Sequence, residues 1–83
     1  MKMKKLHIPL WFNVVTKIKD DMNIHKLSIE GQYHYVYVYE LIKLLEQKKL
    51  ITARKSGRQR KILLTKKGKM FQETIFKIKD MIK

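Results

Sequence analysis

The sequence has no cysteine, which excludes disulfides, thiolate zinc sites and cysteine nucleophiles together. The same absence fits a reducing, intracellular setting. Acids are scarce: 7 Asp and Glu stand against 20 Lys and Arg, a formal net charge of +13. One proline and three glycines leave no low-complexity linker, and no internal repeat is present. Long hydrophobic runs are also missing. The longest apolar stretch, 8–15, is broken by Pro9 and Asn13, against the roughly 20 residues that a membrane-spanning helix needs. The basic start (Lys2, Lys4, Lys5) is like the head of a signal peptide, but no small-residue cleavage site follows and Lys17 and Lys19 come too soon. Residues 1–8 are read as a basic arm on a cytoplasmic protein, in the host cytoplasm if the source is viral.

What is present is enough for one domain over residues 1–83. A second would leave neither half with chain to bury a core. Apolar residues make up 45% of the chain, so it folds. Its charge is segregated. Residues 1–19 hold five lysines and no acid, and residues 20–46 are net −3. Residues 48–69 then hold ten Lys and Arg without a single acid, half of all the cations in about a quarter of the chain. A solvated surface mixes its signs, so this block reads as a surface for a polyanion. Nucleic acid, or an anionic membrane surface, is the leading partner class.

The elements follow from periodicity. Pro9 suits the first turn of a helix, where its missing N–H costs nothing. Trp11, Val14, Val15, Ile18 and Met22 form one apolar stripe, which predicts a helix over 9–21. Asn23 caps a short second helix with Ile24 and Leu27 inward, and Gly31 ends it. Tyr33 to Tyr39 alternates like a strand. Val38, Leu41, Ile42 and Leu45 nevertheless keep helical spacing with no turn residue between the two patterns, so a helix over 34–48 is the more economical reading. Residues 50–54 and 60–64 are β-compatible runs flanking Ser56-Gly57, a hairpin with Ile62 and Leu64 on the buried face. Thr65 caps a last helix over 66–82 that buries Phe71, Ile75, Ile78 and Ile82.

This order resembles the winged helix-turn-helix transcription regulators, especially compact prokaryotic, archaeal and viral members of the MarR-like and PadR-like type. The likeness runs from Ile24 to Gly68. One part is Leu41-Ile42-Lys43-Leu44-Leu45-Glu46-Gln47-Lys48-Lys49-Leu50-Ile51, similar to the family's "L-E-x-K-G-L-I" at the end of the recognition helix. The other is Gly57-Arg58 with Ile62-Leu63-Leu64-Thr65-Lys66-Lys67-Gly68, similar to "G-R…L-T-x-K-G". Three positions depart from the pattern. Lys49 stands where the family has Gly, which implies a left-handed backbone at a lysine. His34 stands where a Ser or Thr caps the recognition helix. Gly31 falls one residue early for the turn between the second and third helices.

The fold so implied is mainly α with a small β-hairpin: three helices, a two-stranded wing and a long C-terminal helix. The resemblance implies double-stranded DNA as partner, with the third helix in the major groove. There it presents Tyr35, Val36, Tyr37, Tyr39, Glu40 and Lys43. Tyrosine hydroxyls suit phosphate oxygens, Val36 a thymine methyl and Glu40 the N4 of cytosine. Because the region around that helix, residues 20–46, is net acidic, phosphate affinity is assigned to the basic N-terminal arm and to the wing: Arg54, Lys55, Arg58, Gln59, Arg60 and Lys61, on the backbone or in the minor groove. Met70, Phe76 and Met81 lie off the core stripe of the last helix, over 66–83, and are assigned to a homodimer interface.

Catalysis is not expected. The two serines, Ser28 and Ser56, sit in no nucleophile motif, and the three histidines lack the i, i+4 spacing of a helical metal site. Gly68-Lys69 is followed by Met70 where a phosphate-binding loop needs Ser or Thr. No metal and no cofactor is expected. Three function classes remain: a sequence-specific transcription regulator; a non-specific architectural or RNA- or ribosome-associated nucleic-acid binder; and a protein-interaction module, which the basic wing disfavours.

Overall fold

A computed structural model describes residues 7–57 and 59–82, apart from the side chains of Ser56 and Gln59. Seven elements follow one another: α1 (Leu10–Thr16), β1 (Met22–Asn23), α2 (Ile24–Gly31), α3 (Tyr35–Gln47), β2 (Ile51–Ser56), β3 (Gln59–Leu64) and α4 (Lys66–Met81). The strands form one antiparallel sheet in the order β1-β3-β2. A single core joins Val14 and Val15 of α1, Leu27 of α2, Val38, Ile42 and Leu45 of α3, Ile51 and Ile62 of the sheet and Ile75 of α4.

The first helix is shorter than its stripe. Pro9 starts it, but it ends at Thr16; Ile18 reaches the core from irregular chain and Met22 from β1, at 3% and 6% exposure. Pairing with the sheet wins over further helix. The Asp21 amide donates to the Ile62 carbonyl at 3.0 Å, and Met22 and Asn23 pair with Ile62 and Lys61. Those two residues are a third strand that the hairpin reading did not contain. The carbonyls of Val15, which also accepts from the Ile18 amide at 3.2 Å, and of Ile18 both accept from Gln72 Nε2 of α4 at 2.9 Å, so the helix end is tied across the core.

Asn23 caps α2 as expected, its side chain accepting from the Lys26 amide at 2.6 Å. The left-handed residue that ends α2 is Gln32 (φ 55°), one beyond Gly31. Its amide donates to Ile29 and that of Tyr33 to Ser28, the paired bonds of a Schellman turn. Gly31 is needed for another reason: the Tyr33 ring lies across it where a Cβ would stand. The same turn ends α3, with Lys49 bonding Glu46, Leu50 bonding Leu45, and Lys49 left-handed at φ 62°. The strand-like alternation of 33–39 loses to the helix because only the helical period carries Val38, Ile42 and Leu45 into the core together.

Thr65 joins α4 to the rest. Its hydroxyl bonds the carbonyls of Lys49 and Leu50 at 2.8 and 3.0 Å and accepts from the Gly68 amide at 2.9 Å. Of the four residues expected to be buried on α4, Ile75 is, Phe71 and Ile82 are partly so, and Ile78 is 37% exposed.

Candidate nucleic-acid interface

The helix-turn-helix is α2 and α3, linked by the Schellman turn at Gln32. On α3 the core takes Val38, Ile42 and Leu45, which turns Val36, Glu40, Lys43 and Gln47 outward. The first turn overhangs the core, so Tyr35, Val36 and Tyr37 are all exposed, at 47%, 58% and 36%. His34 caps α3 with no side-chain hydrogen bond, and no acid stands in the first turn.

The two flanks of this face differ. On one, Tyr35 and Tyr39 stack with ring centres 6.3 Å apart, and Lys43 stands over the Tyr39 ring at 5.6 Å. His25, at the start of α2, meets Tyr35 at 6.3 Å and extends the row to His25-Tyr35-Tyr39-Lys43. Sequence reasoning passed over His25, because its proximity depends on the crossing of two helices and leaves no periodic signal. On the other flank, Tyr37 and Leu44 lead into an apolar groove against α1 and α4. Tyr33 belongs to neither flank. It packs on the core, and partial burial pushes its phenol above the ordinary 10.

The wing is β2 and β3. Gly57 opens its tip at φ 63°, the left-handed value that tight hairpin turns require, with open space around it. The register sets Arg54 opposite Lys61 and Lys55 opposite Arg60. Strand alternation puts Lys55 and Arg60 on the face that carries Ile51 and Ile62 at the base, and Arg54 and Lys61 on the other. Both faces of the outer wing are therefore cationic, in like-charge pairs that weaken an isolated hairpin. Arg58 and the side chain of Gln59 lie outside the described residues. The ion pairs Lys26–Glu30 and Lys69–Asp20 involve none of the wing's cations.

Met70, Phe76 and Met81 are exposed at 64%, 50% and 83%. At 100° per residue Met70 and Met81 share one face of α4 with Thr74, while Phe76 lies on the opposite flank. Among the described residues no helix is long and apolar enough to cross a membrane, and no group of three His, Asp or Glu is gathered to hold a metal.

No protein-family model and no curated protein matches the sequence. Solved structures do match in fold. AF1382 from Archaeoglobus fulgidus aligns with a TM-score of 0.79 at 24% identity, over 87% of this chain and 86% of that one. MepR of Staphylococcus aureus, solved with DNA, aligns at 0.74 and 22% identity, over 84% of this chain and 56% of its own. FabT of Streptococcus pneumoniae, also in complex with DNA, aligns at 0.71 and 21% identity, over 84% and 52%. The chain thus spans about half the length of MepR and FabT. With its helix-turn-helix, basic hairpin and closing helix in this order, the chain has the MarR-like winged-helix fold.

Proposed function

We propose that this protein is a DNA-binding transcription regulator that acts as a homodimer, with α3 in the major groove and the wing along the backbone or in the minor groove. The observation that carries the reading is the wing register. Arg54 faces Lys61 and Lys55 faces Arg60, an arrangement that costs stability in the free protein and is relieved by a polyanion. Similarity of fold to MepR and FabT, each solved with DNA, supports the same partner class. On α3, Val36 and Glu40 are the base-reading candidates, and the His25-Tyr35-Tyr39-Lys43 row is the phosphate-facing flank. Arg58 joins the wing in this reading by its position in the sequence, between Gly57 and Gln59. Met70 and Met81 are the candidates for the dimer contact on α4, with Phe76 on a separate flank.

Duplex binding measured by fluorescence anisotropy against salt tests the reading. If a dimer neutralises about six to ten phosphates, affinity falls on the order of 10³–10⁵ between 50 and 200 mM salt. A flat salt response sinks it. Selection from a random duplex library separates a regulator from an architectural binder: a recovered motif supports the first and a motif-free pool the second. Sedimentation as a monomer at micromolar concentration refutes the dimer.

A further inference from the structure

The DNA reading leaves unused the groove between α1, α3 and α4. It encloses about 630 Å³. Trp11 of α1, Leu41 and Leu44 of α3 and Phe71 of α4 wall it, and Lys48 and Lys67 stand among its lining. Trp11 stacks on Phe71 with ring centres 6.1 Å apart and takes Phe12 edge-on at 4.6 Å, so the aromatic wall is ordered. Leu44 is 54% exposed, more than a leucine with a covering partner would be. Ile78 follows Phe71 by seven residues on the same face of α4, about 10 Å further along the helix.

We infer that this groove docks an acidic amphipathic helix of a partner protein, and that docking there competes with duplex DNA. Openness argues against a small molecule, which a site of its own encloses over most of its surface. An open groove walled by Trp11, Leu41, Leu44 and Phe71 suits a helix with apolar anchors at i, i+3, i+4 and i+7. Charge argues for acidity. Among the described residues neither Lys48 nor Lys67 is in an ion pair, and the chain carries +13 overall. A second copy fits poorly here, since it would bring further lysines of a +13 chain against these two. Glu40 is the one acid in the lining. It sets the polarity, with the partner's positive N-terminal end towards Glu40 and its acidic side chains against Lys48 and Lys67.

Competition follows from shared residues. Tyr37 and Glu40 line the groove and also belong to the DNA-facing part of α3. A helix lying there covers Tyr37 and sets acidic groups beside the phosphate path. This second half rests on the proposed DNA binding; the docking itself does not.

Trp11 is the only tryptophan in the chain and reports on the groove directly. The probe is a synthetic helix of about 18 residues, roughly 27 Å long, with leucines at i, i+3, i+4 and i+7 and glutamates on its flanks. Its control is a scrambled peptide of the same composition. The expected result is a saturable blue shift of Trp11 emission, with the scrambled peptide at least about tenfold weaker. Leu44→Lys, at an exposed position, and the pair Lys48→Glu with Lys67→Glu should each lower peptide affinity by about tenfold or more while circular dichroism stays unchanged. Adding the peptide should raise the apparent Kd for duplex DNA. Equal binding of the scrambled peptide would reveal bare charge attraction and overturn the proposal. So would unchanged Trp11 emission, or the same saturation by an aryl carboxylate when the peptide does not bind. If the peptide docks but the protein binds no duplex at any salt, the docking stands and the DNA reading falls with the competition.

Discussion

Replacing Gly68 by alanine tests whether the junction between α3, the wing and α4 is as tight as its geometry indicates. In an exposed helix the change would stabilise by about 1 kcal/mol, since alanine is the better helix former. Here the sign reverses. A Cβ at Gly68 would overlap the Leu50 carbonyl oxygen, with the carbonyl carbon 2.9 Å and Thr65 Oγ1 3.3 Å away. None of these is the free end of a flexible side chain. Relief requires α4 to move off the Leu50 carbonyl, which loosens the bonds from the Thr65 amide and hydroxyl to that oxygen at 3.1 and 3.0 Å. Overpacking costs about 1–3 kcal/mol and each weakened hydrogen bond about 1. Set against the helix gain, the net loss is about 2–4 kcal/mol, a large part of the roughly 5–10 expected for so small a domain. At about 4–8 °C per kcal/mol, Tm should fall on the order of 15 °C. Thermal and urea unfolding followed by circular dichroism measure it. Gly57→Ala is the control, with open space but φ 63°, and should lose about 1 kcal/mol. A Gly68→Ala protein as stable as the parent would refute the reasoning, because propensity would then outweigh contact.

Four further outcomes are expected. Lys49→Gly and Gln32→Gly each relieve a left-handed backbone at φ 62° and 55°, and should each raise the urea midpoint by an amount equivalent to about 0.5–1 kcal/mol. Lys55→Glu places an acid opposite Arg60; it should stabilise the free fold by about 0.2–1 kcal/mol while weakening duplex binding, and a change of the same sign in both refutes the wing assignment. Gln72→Leu leaves the carbonyls of Val15 and Ile18 without their shared donor, so unfolding free energy should drop by about 1–3 kcal/mol, most of it visible as a lower Tm. Glu40→Ala should tighten binding to random duplex but forfeit about 1–3 kcal/mol of discrimination at one base pair, and equal tightening on every sequence would show that Glu40 reads nothing.

Much of the fold was legible because it rests on short-range rules. The Asn23 cap, the core stripe of α3, the hairpin about Gly57 and the Thr65 cap each depend on residues a few positions apart. The departures at Lys49, His34 and Gly31 were legible in the same way: the left-handed lysine, the bond-free cap and the turn displaced to Gln32 all occur in the structure. So was the basic wing, since no pairing of strands could dilute five cations without an acid. What the tertiary structure alone decided involves partners far apart in the chain. Met22 and Asn23 are a strand only because Ile62 and Lys61 arrive beside them, and that pairing cuts α1 short at Thr16. Ile78 is exposed although it keeps the core period, because no element of the described fold covers that part of α4. His25 joins the tyrosines, and Trp11 meets Phe71, through helix crossings that no local pattern encodes. Periodicity states which side of an element is apolar; only packing determines whether another element is there to cover it.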